Sequence, residues 1–163
     1  MSLVTPMVES LAARLKAAKH TVAVAESSAG GLISATLLAV PGASAFFQGG
    51  AIIYTGNARE NILGVGADAM KGMRASTEAY ALLKARTLRQ KLGTTWALAE
   101  TGASGPTGNR YGDAAGHACI AVVGPVERAI TVETGDTDRE ANMWRFTRAA
   151  LELLDSCLGA APR

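Results

Sequence analysis

The chain is poor in aromatic residues and has no block of basic residues. Its 163 residues include two Trp, three Tyr and three Phe, and the net charge is only +2. Few aromatic side chains leave little surface for stacking nucleic-acid bases. Interspersed charges leave no concentrated basic face for a phosphate backbone. We therefore expect no nucleic-acid partner.

The chain has only two cysteines, Cys119 and Cys157, which lie far apart and form no CxxC pair. This spacing predicts neither a zinc site nor a disulfide framework. We interpret both residues as buried free thiols in a reducing cytosol.

No apolar run is long enough to cross a bilayer, because Gly, Ser or Thr interrupts each of them. The N-terminus is amphipathic and lacks the charged start and apolar core of a secretory leader. We expect a cytoplasmic protein that does not contact a membrane. The length predicts a single domain, residues 1–163, with a core large enough to fold without disulfides.

Short apolar strands alternate with helical patterns along most of the chain. The strands are apolar on both faces, which is typical of an α/β sheet covered by helices on both sides. A turn at Gly124-Pro125 indicates a hairpin, and hence one antiparallel strand in an otherwise parallel sheet. The predicted strands cover residues 21–25, 51–55, 95–99, 117–123 and 129–133. The predicted helices begin at Thr5-Pro6 or cover residues 32–40, 57–63, 77–92 (with Ser76 as cap) and 138–158.

Two glycine-rich loops follow predicted strands, at residues 26–31 and 100–108. Ligands of α/β proteins bind at the carboxyl ends of the strands. Glycines let backbone amides approach a ligand, and the free amides of a helix start favour a phosphate or an oxyanion. Neither loop matches the Walker, Rossmann or G-x-S-x-G pattern. On pattern alone, both loops could equally be helix caps or turns.

A serine nucleophile in the first loop, Ser27, would need a base. His20 lies at the far end of the first strand, and His117 could face the cleft or belong to the core, so a Ser-His-Asp triad is hard to build. The alternative is a Lys, or a Tyr/Lys pair. Tyr54, at the end of the second strand, and Arg59 could point toward Ser27, or could be a half-buried strand tyrosine and a solvated arginine.

Several stretches, in order along nearly the whole chain, resemble one family. Glu-Ser-Ser-Ala-Gly-Gly at residues 26–31 resembles the Glu-Ser-Cys-Thr-Gly-Gly signature of the CinA C-terminal domain family, the nicotinamide-nucleotide amidases. Thr-Gly-Ala-Ser-Gly-Pro at residues 101–106 is similar to its Thr-Gly-Ile-Ala-Gly-Pro loop. Further similar segments are residues 40–47, 49–54 and 62–65, and Gly135-Asp136 followed by Arg139.

The resemblance implies a three-layer α/β/α fold with a mixed five-stranded sheet. It implies an amidase that converts nicotinamide mononucleotide to nicotinate mononucleotide and ammonia, without metal or cofactor, in a homo-oligomer. By position, Ser27 matches the family's nucleophile, Tyr54 its cleft tyrosine, and Arg59 the place of a family lysine. Backbone amides near Gly30 would hold the oxyanion. The substrate-binding residues it implies are Glu26, Ser28, Gly30, Gly31, Thr101, Gly102, Ser104 and Gly105.

The sequence departs from the family pattern in ways that affect the chemistry. Ala29 replaces a threonine, Asp113 stands where relatives often have lysine, and Arg59 replaces the family lysine. An arginine stays charged and cannot act as an ordinary general base. Arg59 could instead favour the phenolate form of Tyr54, or bind phosphate. The alternative function is therefore a nucleotide-binding module of the same fold with impaired catalysis.

Overall fold

The computed structural model describes residues 2–162 and contains a five-stranded sheet between helices. None of the helices in this part of the chain combines the length and apolar character that a membrane span requires. The strands are β1 (Val22–Glu26), β2 (Phe47–Ile52), β3 (Trp96–Ala103), β4 (His117–Val123) and β5 (Arg128–Glu133). The helices are α1 (Pro6–Ala18), α2 (Leu32–Leu38), the single turn α3 (Gly56–Ala58), α4 (Glu78–Leu92) and α5 (Arg139–Ala160).

The strands lie in the order β2-β1-β3-β4-β5. β1 is parallel to β2 and β3, whereas β4 is antiparallel to both β3 and β5. Four strands therefore run in one direction and only β4 runs in the other. This confirms the predicted mixed α/β sheet. It also places the ends of β1, β2, β3 and β5 and the start of β4 at one edge of the sheet, which we call the carboxyl edge.

The two faces of the sheet carry different side chains because successive residues of a strand point to opposite faces. One face presents large residues, including Val22, Val24, Trp96 and Leu98, and packs against α1, α2 and α5. The other face packs against α4 and is built almost entirely from small residues: Ala23, Ala25, Ala97, Ala99, Cys119 and Ala121. The small residues let α4 lie close to the strands.

The helix boundaries follow from their caps. Thr5 accepts a hydrogen bond from the Val8 amide at the start of α1, with Pro6 at the first helical position, as predicted. The predicted cap of α4, Ser76, is wrong. Thr77 caps this helix through the Tyr80 amide at 3.2 Å, while Ser76 has a positive φ of 60°.

Two strand boundaries also differ from the prediction. β2 covers Phe47–Ile52 rather than residues 51–55, so Tyr54 lies two residues beyond its end. β3 continues to Ala103 rather than ending at residue 99, because its last four residues pair with β4. The segment that connects β3 and β4, residues 104–116, thus leaves from the carboxyl edge and returns to it, where the Gly116 amide bonds the Ala103 carbonyl at 2.8 Å.

Candidate active site

Glu26 ends β1 and is fully buried, with its carboxylate at the start of α2. This carboxylate accepts hydrogen bonds from the amides of Gly31, Ile33 and Ser34 at 2.9, 3.1 and 2.9 Å, and from the Ser34 hydroxyl at 2.7 Å. Such amides are the donors that a helix leaves unpaired in its first turn. Burial raises the pKa of Glu26, although the bonds from Ser34 and Ile33 oppose the rise. Glu26 therefore caps α2, and its carboxylate oxygens already accept hydrogen bonds from the protein.

Glu100 on β3 is fully buried too, and it holds the loop that follows Glu26. Its carboxylate accepts hydrogen bonds from the amides of Ser27 at 3.0 Å and Ala29 at 2.8 Å. It also accepts a short hydrogen bond from the hydroxyl of Ser28, which is buried. One carboxylate thus fixes three successive residues. Ser28, predicted to contact a substrate, instead turns inward.

The Ser27 side chain is half-buried, and its hydroxyl makes no hydrogen bond to any residue between 2 and 162. The N-cap of α2 is Gly31, without a side-chain cap, because Glu26 supplies the acceptor. The Ser27 hydroxyl is therefore not used as a helix cap. It is a free hydroxyl at the carboxyl edge.

The backbone amides of this loop differ in what they are free to bind. Within residues 2–162, the Ser28 amide has no hydrogen-bond acceptor. The neighbouring amides are all paired: Ser27 and Ala29 with Glu100, Gly31 with Glu26, Gly30 with the Ser27 carbonyl, and Leu32 with the Ala29 carbonyl. The amides near Gly30, predicted to hold an oxyanion, are therefore already bonded.

Helix α5 approaches the loop at Gly30. Gly30 has a φ of +69°, and a Cβ there would lie 2.6 Å from Cε of Met143 on α5. The positive φ favours glycine at this position, whereas the flexible end of Met143 could move to make room for a Cβ. The first turns of α5 therefore lie next to the Ser27 loop.

Tyr54 is joined to the second glycine loop by Arg139, the first residue of α5. Nη2 of Arg139 donates to the Tyr54 hydroxyl at 3.2 Å, and its Nη1 donates to the Gly105 carbonyl. The Tyr54 side chain is 63% exposed. The amide of Ile53 bonds the Glu26 carbonyl at 2.7 Å, so Tyr54 and Ser27 follow directly from paired ends of β1 and β2. The structure thus places Ser27, Tyr54 and Gly105 at the same edge.

Arg59 does not take part in this contact. It begins a π-helical turn, Arg59–Leu63, and its Nε donates to the Val65 carbonyl at 3.0 Å. Its charge also opposes the rise that burial causes in the pKa of Tyr80 on α4. The guanidinium that contacts the Tyr54 hydroxyl belongs to Arg139 instead.

Most residues of the second loop that were predicted to bind a substrate contact other parts of the protein instead. Thr101 is buried on the α4 side of β3, where its hydroxyl accepts from the Ser76 amide at 3.1 Å. Gly102 packs against β4, and a Cβ there would lie 2.3 Å from the His117 carbonyl oxygen. Ser104 is buried with an unpaired hydroxyl, and its carbonyl accepts from Asn142 at 2.8 Å. Gly105 is the member of this set that contacts Arg139.

A buried cation that was not predicted from the sequence lies beneath the Ser27 loop. Lys84, on α4, is fully buried, and its Nζ donates to the Glu100 carbonyl at 2.6 Å. Burial lowers the pKa of Lys84 to about 8, against the opposing attraction of Glu100 and Glu26. A signal was present, because Lys84 falls on the same helical face as Tyr80, Ala81 and Leu88. A cation on an apolar stripe indicates a buried partner.

His117 starts β4 on the α4 side of the sheet and is buried. Its Nδ1 faces Glu133 and its Nε2 lies 2.9 Å from the Ser76 carbonyl. Burial alone would lower the pKa of His117, but the contacts with Glu133 and Ser76 outweigh it and raise the pKa above 6.5. This histidine therefore ties β4 to Ser76 and makes no hydrogen bond to Ser27. Within residues 2–162, no three His, Cys, Asp or Glu side chains cluster as a metal site would require.

The fold and this edge define an α/β domain with a serine-bearing glycine loop at the carboxyl ends of its parallel strands. The sequence model of the CinA C-terminal domain family matches residues 4–158, and the chain belongs to this family.

Similar proteins agree with this assignment. A CinA-like protein of Salinibacter ruber is 36% identical over 138 residues, which cover 85% of this chain and 34% of that protein. A CinA-like protein of Chlorobium limicola is 34% identical over 152 residues, covering 90% and 35% of the two chains. The chain thus spans about a third of the length of these relatives.

Solved structures show the same fold along the whole chain. A competence-damaged protein (CinA) superfamily member from Klebsiella pneumoniae superposes with a TM-score of 0.88 at 26% identity, over 94% of this chain and 96% of the other. A competence/damage-inducible protein from Agrobacterium tumefaciens gives a TM-score of 0.82 at 30% identity, over 98% and 99%. These matches confirm the predicted family and the α/β/α fold.

Proposed function

We propose that this protein is an amidase that hydrolyses the carboxamide of nicotinamide mononucleotide, giving nicotinate mononucleotide and ammonia. The observation that carries the proposal is the pairing of a free hydroxyl with a free amide: Ser27 Oγ and the Ser28 N–H both lack a protein partner within residues 2–162. Acyl transfer by a serine needs these two groups side by side, one as nucleophile and one as oxyanion donor.

The reaction would proceed in two steps. Ser27 Oγ attacks the carboxamide carbon and gives up its proton, and the carbonyl oxygen becomes an oxyanion held by the Ser28 amide. The C–N bond then breaks as the leaving nitrogen takes up that proton and departs as ammonia. Water then attacks the acyl-serine ester, releasing the carboxylic acid and restoring the hydroxyl. The Tyr54 hydroxyl, exposed at the same edge, is the side chain we assign to carry the proton between serine, leaving group and water.

Arg139 is the group we assign to the phosphate of the substrate. Its guanidinium is held at the edge by the Gly105 carbonyl and the Tyr54 hydroxyl, and it has five N–H donors in all. A planar guanidinium binds phosphate oxygens in a bidentate manner. An arginine fixed at the same edge of the sheet as Ser27 would thus position a nucleotide for attack.

The test is to incubate the purified chain with nicotinamide mononucleotide and measure ammonia and nicotinate mononucleotide together. We expect equal amounts of both products, and none from Ser27→Ala. Release by Ser27→Ala at the wild-type rate, or no release by the wild type under any condition at which the nucleotide binds, contradicts the proposal.

A second candidate, nucleotide binding without turnover, is favoured by the placement of Arg59. The residue at the position of the family lysine bonds its own turn through Val65, and no base contacts the Ser27 hydroxyl in the described residues. Calorimetry with nicotinamide mononucleotide, followed by a product assay on the same sample, separates the two functions. Binding with no product, and product formation regained in Arg59→Lys, would identify a binding module that has lost its base.

A further inference from the structure

Two buried carboxylates and one buried cation lie directly beneath the Ser27 loop. Glu26, Glu100 and Lys84 are all fully buried. An uncompensated charge is very costly to bury, so three charges in one place require a close arrangement of partners. The Glu26 carboxylate is fully hydrogen-bonded to the start of α2.

The contacts of Glu100 divide between its two ends. Its side chain accepts from the Ser27 amide, the Ala29 amide and the Ser28 hydroxyl, all on the α2 side of the sheet. Its backbone carbonyl accepts from Lys84, which comes from α4 on the opposite side. Lys84 therefore bonds the backbone of Glu100, and the carboxylate of the same residue bonds the Ser27 loop.

This arrangement decides which groups of the loop point toward a ligand. Because Glu100 binds the amides on both sides of Ser28 and also the Ser28 hydroxyl, the Ser28 amide is the one left unpaired. Because the Ser27 backbone is held through its own amide, the Ser27 hydroxyl is left free at the surface of the loop. A neutral acceptor could make fewer and weaker bonds of this kind than a carboxylate does.

We propose that Glu100 and Lys84 are positioning residues that hold the Ser27 hydroxyl and the Ser28 amide in the geometry of a ligand-ready site. Neither residue touches the ligand. Lys84 anchors strand β3 through the Glu100 carbonyl, and the Glu100 carboxylate supplies the acceptors that hold the loop. That the Ser27 hydroxyl and the Ser28 amide serve amide hydrolysis rests on the function proposed above. That Glu100 and Lys84 position these two groups does not depend on it.

The surroundings of Lys84 make its charge sensitive to pH. The groups that face it are Glu26 from β1 and Glu100 from β3, with the Tyr80 ring of its own helix 5.1 Å from Nζ and Cys119 of β4 on the same face of the sheet. The pKa of Lys84, lowered by burial to about 8, means that this cation is lost at mildly alkaline pH. The hold on the Ser27 loop should weaken with it.

Amide hydrogen exchange of the ¹⁵N-labelled 163-residue chain tests the positioning role directly. In Glu100→Gln and in Lys84→Met, we expect protection of the Ser27 and Ala29 amides to fall about tenfold or more. The amides of Ile33 and Ser34, which Glu26 holds, are the internal control and should keep their protection. Lys84→Arg keeps the cation and should restore part of the protection. Equal loss in both sets of amides, or no loss at Ser27 and Ala29, overturns the proposal.

A measurement on the wild type keeps the test independent of whether the variants fold. The Lys84 Cε resonance and the ¹⁵N shifts of Ser27 and Ala29 should titrate together with a midpoint near pH 8. A midpoint for Lys84 with no accompanying change at Ser27 and Ala29 overturns the proposal.

Turnover of nicotinamide mononucleotide then connects the positioning role to function. We expect Lys84→Met to lower kcat about tenfold or more with little change in KM, since the bound substrate would meet a displaced nucleophile. If no form of the chain hydrolyses the nucleotide, the proposed function fails while the exchange result stands. If the exchange pattern is absent and the wild type still hydrolyses the nucleotide, the positioning inference alone fails.

Discussion

Arg139 donates a hydrogen bond to the Tyr54 hydroxyl across 3.2 Å, although the two residues are 85 positions apart in the chain. The same guanidinium binds the Gly105 carbonyl. One side chain from the first turn of α5 thereby ties the end of β2 to the loop after β3. The arginine that holds Tyr54 at the carboxyl edge therefore comes from α5 and not from the residues that follow Tyr54 in the chain.

Replacing Arg139 should impair binding of the phosphate more than the chemistry. We expect Arg139→Ala to raise KM for nicotinamide mononucleotide roughly tenfold or more, because a charge-assisted contact is lost. Arg139→Lys should recover only part of the loss, since a lysine cannot bind in a bidentate manner. The measurement is steady-state kinetics with the nucleotide and with its riboside, which lacks the phosphate.

The matched control for Arg139 is Arg145→Ala on the same helix. Arg145 pairs with Asp136 at 2.8 Å, away from the Tyr54 hydroxyl, and its loss should leave KM unchanged. An equal rise in KM for the nucleotide and the riboside would show that Arg139 does not bind the phosphate.

Ser27 and Ser28 are adjacent serines with opposite expected effects. Ser27→Ala should lower turnover at least about a thousandfold, because the nucleophile is removed, yet change the free energy of unfolding by less than about 0.5 kcal/mol. Ser28→Ala removes the donor to buried Glu100 and should cost roughly 1–3 kcal/mol of stability. Product assays and urea unfolding of both variants give the comparison. A large loss of stability in Ser27→Ala would show that its hydroxyl has a structural partner.

The stability of the fold should fall as the pH rises above neutrality through His117. Its folded pKa lies above the ordinary value of 6.5, so its contribution is complete below pH 6.5 and is lost as the pH passes the folded pKa. The slope from one group is at most about 1.4 kcal/mol per pH unit. Urea unfolding between pH 6 and 9 should show a smaller decline in His117→Gln. His20→Gln is the control, because His20 contacts Trp96 at the other end of β1.

Gly102→Ala should destabilise the protein whether or not a ligand is bound. The added Cβ would meet the His117 carbonyl oxygen at 2.3 Å, so β3 and β4 would have to separate. Overpacking of this kind costs roughly 1–3 kcal/mol. Gly66→Ala is the matched control, since nothing lies within 4 Å of a Cβ at that position. Equal unfolding midpoints for the two variants would contradict this explanation of Gly102.

The general fold could be predicted from the sequence because it depends on local patterns that agree with one another. Alternating strands and helices, the Gly124-Pro125 hairpin and the Thr5-Pro6 helix start all indicate the same sheet. The extension of β3 through Thr101 and Gly102 was missed, because threonine and glycine are typical of loops. Pairing with β4, a long-range contact, overrides that local preference.

The site was predicted less completely, because its support comes from distant parts of the chain. The signature at residues 26–31 indicates Ser27, but Lys84 shows its role only once the alanine-rich face of the sheet brings α4 close to Glu100. Similarly, Arg59 is the arginine nearest Tyr54 in sequence, whereas Arg139 is the one that contacts it. Periodicity can place a residue on a helix face, but it cannot say which strand residue that face meets.

The course of residues 104–116 has a consequence for how this domain can vary. The segment departs from β3 and rejoins β4 at one edge of the sheet, so its length is independent of the pairing below it. Insertions or deletions between the bonded ends of this segment, at residues 106–112, would reshape the carboxyl edge while every strand kept its register. Ligand choice could thus be re-engineered by exchanging this one segment between homologous domains, without redesigning the core.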